Sequence, residues 1–278
     1  MRIVMLGKTG VGKSSVANTI LGENVFQIGR TANSATSECR SETRRVDGRD
    51  VTLIDTPGLF DTDRPEEELK PEIVKCFTEC SPGPHAFIIV FKVDRFTVQE
   101  QEVINKINQY FSEEAFKYAT VLFTYGDQLE EEQTIEEYFH NNQRLSDLVK
   151  KCGGRCHVID NKYWKDNQPD DYRSNQFQVK QLMKTIDHMI EANKGSCYTN
   201  KVLQAVEKLR QEEEKQKAHK VHVGISVFKH KKKTADDEYE QTYSSICHIL
   251  HLIVNIFLFC LLFSIYYSVL FTCSTRYS

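Results

Sequence analysis

Proline and glycine are scarce, with six and 13 in 278 residues. That excludes collagen-like and low-complexity chains. There is no excess of charge of one sign: 36 Lys and Arg face 39 Asp and Glu, a net charge of −3. Nothing global therefore points to nucleic acid as a partner. With 40% hydrophobic and 27% charged residues, the chain sits near the soluble-globular norm, which excludes disorder over its full length. The most telling absence is local. From Gln241 to Thr275 there is no Asp, Glu, Lys or Arg across 35 positions.

The chain has nine cysteines, an odd number with loose spacing, and no secretory signal is expected ahead of the first strand. Reduced thiols in a cytosolic compartment are expected. Cys76/Cys80 and Cys152/Cys156 are C-x-x-x-C pairs. Structural zinc sites more often use C-x-x-C, so buried or interfacial thiols are the better reading than zinc.

The length allows one large domain, or one domain plus a tail. Arg2–Leu6 reads as a buried strand, Ser14–Leu21 as a helix closed by Gly22, and Glu23–Thr43 as irregular. Arg44–Asp55 reads as a hairpin around Asp47-Gly48. Ala86–Val93 and Ala119–Thr124 are apolar enough for strands covered on both faces, and His157–Asp160 reads as the last strand. Thr97–Glu100 and Thr134–Glu137 are capping-box patterns. The first starts a helix with Val103, Ile104, Ile107 and Phe111 on one face, and the second a helix toward Gly153. Ser174–Asn193 is the last helix of the set, with Leu182, Ile186 and Met189 in one stripe. Strands alternating with helices predict a doubly wound α/β domain, largely parallel with one antiparallel strand. Beyond Gly195, Lys201–Lys220 reads as a solvated helix with a thin stripe of Val202, Val206 and Leu209.

Two motifs carry chemistry. Gly7 to Ser14 matches G-x-x-x-x-G-K-[ST] between a strand and a helix. Its backbone N–H groups suit phosphate oxygens, Lys13 the β and γ phosphates, and the Ser14 hydroxyl Mg²⁺. The phosphate-binding set is Gly7, Lys8, Thr9, Gly10, Val11, Gly12, Lys13, Ser14 and Ser15. The second motif is Asp55-Thr56-Pro57-Gly58. Asp55 suits the magnesium shell through water, and the Gly58 N–H a γ-phosphate. A further Mg²⁺ hydroxyl lies among Thr31, Ser34, Thr36, Ser37 and Thr43, and position alone does not choose between them. Thr124-Tyr125-Gly126-Asp127 follows a strand where guanine readers keep N-K-x-D. The Asp127 carboxylate suits guanine N1–H and N2–H₂. Asp160-Asn161-Lys162 follows the last strand as the expected fifth element.

These segments resemble the GTPase of immunity-associated proteins, the GIMAP or IMAP family, with its avrRpt2-induced-gene-type G domain. Arg2–Gly22 matches the family's opening, Asp55–Asp61 its switch-II motif, Gly83–Thr97 its own box between the third and fourth guanine motifs, and Val121–Leu129 its fourth motif. The resemblance covers about residues 1–195 and implies a P-loop GTPase fold, a mostly parallel sheet flanked by helices. It implies GTP/GDP and Mg²⁺ as cofactors and places Thr36 as the switch-I threonine, making the metal set Ser14, Thr36 and Asp55. Thr124, Tyr125 and Asp127 fall on the base-reading motif, with Tyr125 where relatives often carry a basic residue, and Asn161 on the base-contacting asparagine. It also implies G-domain dimerisation, with itself or with related members, and Arg95 as an arginine acting across that interface. No glutamine follows Gly58, only Leu59 and Phe60, so intrinsic hydrolysis is expected to be slow. The rival readings are a non-hydrolysing GTP-dependent membrane scaffold and an ATPase or kinase on the same phosphate loop.

The expected organisation is a G domain over 1–195, a charged helical linker over 196–245 with some coiled-coil character, and a transmembrane tail anchor over 246–272. The apolar stretch Ile249–Phe271, as a helix, spans about 35 Å, enough for a hydrocarbon core of roughly 30 Å. Lys229 and Lys231–Lys233 lie on its N-terminal side, as the positive-inside rule expects for a cytosol-facing, single-pass C-terminal anchor.

Overall fold

A computed structural model describes residues 1–28, 39–56, 66–165 and 167–215, with the backbone alone over 66–70. Six strands form one sheet: β1 (Arg2–Leu6), β2 (Arg40–Val46), β3 (Arg49–Asp55), β4 (Ala86–Lys92), β5 (Ala119–Thr124) and β6 (Cys156–Val158), in the order β2-β3-β1-β4-β5-β6. All neighbours are parallel except β2 and β3. Those two meet in a two-residue turn where Asp47 and Gly48 both take positive φ, 47° and 79°, the conformation that suits the strand twist of a hairpin. The hairpin begins at Arg40, four residues ahead of its expected start.

Alternation along β1 divides the core. Ile3 and Met5 pack against α1 (Lys13–Leu21) and α6 (Asn175–Ala192). Val4 and Leu6 face the opposite layer of α2 (Glu66–Cys80), α3 (Val98–Phe111), α4 (Ile135–Phe139) and α5 (Gln143–Lys151). Every residue of β5 and all but Lys92 of β4 are buried, as expected of central parallel strands covered on both sides. Both capping boxes form: Thr97 with Glu100 opens α3, and Thr134 with Glu137 opens α4.

The continuous helix expected toward Gly153 is two helices. Asn142 caps α5 by accepting from the Leu145 N–H at 3.2 Å; an asparagine side chain competes for backbone donors and restarts a helix rather than continuing it. The helix α2 carries an interior proline, Pro71, which masks its periodicity in the sequence. The compact unit runs to Glu212, past the boundary drawn at 195. Tyr198 is buried among Phe87, Phe111 and Tyr118, with ring centroids 5.3–6.3 Å apart, and its N–H donates to the Pro84 carbonyl at 2.8 Å. Residues 201–215 are helical. Their inward contacts are Leu203, fully buried, and Val206, whereas Val202 and Leu209 of the expected stripe are exposed. Among the described residues no helix is long and apolar enough to cross a membrane. The expected anchor, Ile249–Phe271, the lysines around 229–233, Thr36 and Gly58 lie outside the described residues.

Candidate functional site

Strand register brings the motifs to one edge. Met5 pairs with Asp55, Leu6 with Ile89, and Lys92 with Thr124, so the loop after β1 and the ends of β3 and β5 gather at the carboxyl end of the parallel strands. Sites of open α/β sheets form there. The loop Gly7–Gly12 crosses this edge and feeds α1; the start of a helix points its backbone N–H groups toward an anion.

Close approach explains two of its glycines. A Cβ on Gly7 would lie 2.5 Å from the Val90 carbonyl oxygen, and one on Gly12 would lie 2.7 Å from Asn161 Nδ2. Lys13 is buried, and its ammonium donates to the carbonyls of Gly7 and Lys8, both at 2.8 Å. The charge is thus held inside the curl of the loop. The Ser14 hydroxyl donates to Asp55 Oδ2 at 2.6 Å, and Asp55 is 1% exposed. A hydroxyl and a carboxylate from two elements, both hard oxygen donors, fit Mg²⁺, which takes few protein ligands and keeps its waters. Among the described residues no group of three or more His, Cys, Asp or Glu side chains is arranged to hold a metal.

Thr124 ties the two ends of the site together. Fully buried, its hydroxyl lies 2.7 Å from the Val11 carbonyl and 3.1 Å from that of Phe91. The chain then turns through Tyr125 in the left-handed region (φ 61°), which exposes its ring beneath Lys92 Nζ at 5.1 Å. The Gly126 N–H donates to Ile159 O at 3.0 Å. A Cβ on Gly126 would strike the buried Trp164 ring at 2.5 Å. This seat presents Asp127 at the mouth, where Oδ2 accepts from Gln128 Nε2 at 2.7 Å. Burial, and then contact with Asp160, raise the Asp127 carboxyl above its ordinary value. Burial pushes Asp160 the same way, but the N–H groups of Tyr163 and Lys162 and the contact with Asp127 hold it below. Asn161 reaches back over Gly12, and a groove of about 930 Å³ opens beside it, bordered by Ser15, Thr19, Lys165 and Asn175.

Arg95 lies exposed in the loop between β4 and α3, at the rim of a cavity of about 400 Å³ shared with Lys8, Thr9, Lys92 and Asp94. Lys8 Nζ donates to Gln99 Oε1 at 2.5 Å and lies 3.5 Å from Glu100 Oε1. Burial opposes it, but Thr97 and Lys8 together hold the Glu100 carboxyl below its ordinary value. Sequence reading names Lys8 for the phosphate loop but misses this tie to the α3 cap. It also misses Trp164 under Gly126 and the influence of Asp160 on the Asp127 carboxyl, although Asp160 stands in the expected fifth element.

A family model described as the AIG1 family matches residues 1–220. Curated relatives include Immune-associated nucleotide-binding protein 10 of Arabidopsis thaliana, 34% identical over 221 residues, 76% of this chain and 46% of that protein. Immune-associated nucleotide-binding protein 7 of the same plant is 31% identical over 78% of this chain and 68% of its own length. GTPase IMAP family member 8 of Mus musculus is 34% identical over 66% of this chain and 26% of its own. The chain thus spans about half or less of the length of several relatives it matches. Among solved structures, a dimerization-deficient mutant of Arabidopsis thaliana Toc33 superposes with a TM-score of 0.54 at 20% identity, covering 68% of this chain and 83% of that one. Toc33 in complex with Mg²⁺ and GMPPNP gives 0.54 at 21%, over 69% and 85%. At such identity the likeness establishes the fold, a mostly parallel P-loop sheet with one antiparallel pair.

Proposed function

The chain belongs to the AIG1 family, and on that premise we propose that it is a guanine-nucleotide-binding switch whose G domain pairs with a second G domain in the triphosphate state. The observation that carries this reading is the closed circuit of Lys13, Ser14–Asp55 and Thr124 around one loop, ending on Asp127. Lys13 exchanges its two carbonyl partners for phosphate oxygens, and charge-assisted bonds favour the exchange. Backbone N–H groups at the start of α1 orient the phosphates. Ser14 and Asp55, with Thr36 by the family resemblance, would hold Mg²⁺, which would supply positive charge to the phosphates. Asp127 accepts from guanine N1–H and N2–H₂, donors that adenine does not present there, while Asn161 lies at the groove.

Hydrolysis is slow in the monomer on this reading, because Leu59 and Phe60 follow Gly58 and neither can orient water. Arg95, exposed beside the phosphate loop, acts across the dimer. For one Toc33 structure, dimerization is described as important for the GTPase activity of that protein and of psToc159, which supports the assignment by likeness of fold only. The uncharged segment Ile249–Phe271 anchors the protein in a membrane with the G domain on the cytosolic side; its length and lack of charge support this. The decisive experiment is competition of GTP, GDP and ATP for the 278-residue chain, with phosphate release followed against protein concentration. Guanine-selective binding and turnover per molecule that rises with concentration are expected, the rise vanishing in Arg95→Ala. Equal competition by ATP overturns the guanine assignment. Binding without concentration-dependent turnover favours the non-hydrolysing scaffold, for which the missing glutamine already speaks.

A further inference from the structure

Lys8 faces two ways. Its carbonyl accepts from Lys13 Nζ at 2.8 Å, inside the phosphate loop. Its own ammonium leaves the loop and donates to Gln99 Oε1 at 2.5 Å, with Glu100 Oε1 at 3.5 Å. The Lys8 and Glu100 side chains are only 22% and 20% exposed, so the pair is better shielded from solvent than an ordinary surface ion pair. Glu100 has a second task. Its other oxygen, Oε2, accepts from the Thr97 N–H at 3.0 Å and from the Thr97 hydroxyl, and Thr97 Oγ1 accepts from the Gln99 N–H at 3.2 Å. This cap fixes the turn that carries Arg95 from its far side. From the near side the Tyr138 hydroxyl donates to the Asp94 carbonyl, and Asp94 Oδ1 accepts from the Arg95 N–H at 2.7 Å. Lys8, Thr9, Asp94 and Arg95 line one cavity.

An arginine that acts on a second G domain is useful only when the sites are filled, so its turn has to sense the phosphate loop. We propose that Lys8 is the relay, with Gln99 and Glu100 as positioning residues that set the Arg95 turn according to what the phosphate loop holds. This deepens the reading of Arg95 above and rests on it. Phosphate draws Lys13 off the Lys8 carbonyl. The backbone of Lys8 then shifts, and its ammonium passes the shift to Gln99 and Glu100, whose cap holds the residues following Arg95. Gln99 and Glu100 touch no reacting atom; they act through the arginine.

Glu100→Gln keeps the cap, since glutamine serves at that position of a capping box, but removes the charge facing Lys8. Gln99→Ala removes the nearer acceptor. The double variant therefore releases Lys8 with α3 intact. The first measurement is amide hydrogen exchange of the 278-residue chain with and without Mg²⁺ and GMPPNP. In the parent, exchange over residues 94–100 should slow together with that over 7–13, by about threefold or more. In the double variant the response over 7–13 stays and that over 94–100 is lost. Lys8→Met should lose the same response, and adding it to the double variant should remove nothing further. The second measurement is turnover against protein concentration. The maximal rate of the double variant should fall about five- to tenfold, because a small misplacement of an acting group is costly. The affinity for GMPPNP and the concentration at half-maximal rise should stay the parent's, whereas a merely structural role would move them too. A double variant that keeps the parent's response over 94–100, or its maximal rate, overturns the inference and leaves the nucleotide reading standing. So does a parent in which 7–13 responds and 94–100 does not. Failure to bind GMPPNP overturns the nucleotide reading. Parent turnover that does not rise with concentration overturns the reading of Arg95. Either of these takes the relay with it.

Discussion

The two ends of the site are built on opposite principles. At the phosphate end the positive charge is already satisfied: Lys13 holds two carbonyls, Ser14 holds Asp55, and Thr124 braces the loop from β5. Ligand binding there exchanges one good set of partners for a better one. At the base end the buried Asp127 Oδ1 lacks a donor among the described residues, and the Tyr125 ring is 42% exposed. The first end supplies strength that any nucleoside triphosphate can use. The second supplies discrimination, and it starts from an acceptor that the ligand's donors can satisfy.

Removing the phosphate end is expected to have the largest effect. Lys13→Ala deletes a buried charge that contacts two phosphates, and loss of such contacts costs on the order of 3 kcal/mol or more, a hundredfold or greater in affinity. GTP, GDP and ATP should all suffer together, measured by fluorescence of labelled nucleotides on protein whose circular dichroism is unchanged. Parent-like affinity for GTP would break the comparison at its root.

Removing the base end should change choice rather than strength. Asp127→Ala gives up two hydrogen bonds to a charged acceptor, about 2–3 kcal/mol, or roughly 30- to 150-fold in the preference for guanine over adenine. ATP binding should hardly move. A variant that keeps the parent's discrimination shows that the base is read elsewhere, with Asn161 as the first residue to test.

The phosphate end was legible in the sequence almost completely, and the base end only in part. A phosphate loop is a backbone device, so its spacing of glycines, lysine and serine is local and can be read directly. Thr124 and Asp127 could be placed because they close a strand of unbroken apolar residues. The packing of Trp164 under Gly126 joins residues far apart in the chain, and no local pattern announces it. The same holds for Tyr198, which reaches the aromatic core only because residues 196–200 fold back on Pro84. The split between α4 and α5 was missed for a different reason: one asparagine outweighed an otherwise helical pattern.

Acid is expected to weaken the fold beside the base end. His157, on β6, bonds Thr185 at 2.9 Å, and burial lowers it to about 4. Its ordinary value is 6.5, so the unfolded chain takes up the proton first as pH falls. The stability from a neutral buried His157 is therefore complete above about pH 6.5 and is lost progressively toward pH 4. Burial also lowers His85 to about 4, with Arg2 acting the same way. The expected loss from His157 by pH 5 is about 1–2 kcal/mol, read by urea unfolding. His157→Gln should flatten that profile. A His157→Gln profile parallel to the parent's shows that the acid loss arises elsewhere, with His85 as the first residue to test.

The smallest effect sharpens the comparison at its weakest contact. Tyr125 stands where a basic residue is common in the resembling family, and Lys92 lies over its ring at 5.1 Å. The left-handed backbone that exposes it (φ 61°) turns the ring away from the buried seat of Gly126, so it can flank a base but not clamp it. An exposed cation–π pair contributes about 0.5–1 kcal/mol, and an aromatic face beside a base a similar amount. Tyr125→Ala should therefore weaken guanine nucleotides by about two- to fivefold. It should leave the preference over adenine nearly intact, because stacking does not distinguish purines. Measured beside Asp127→Ala, the pair of variants divides the base end into a reading part and a holding part. A Tyr125→Ala variant that loses guanine preference as far as Asp127→Ala does would place the ring in the reading of the base.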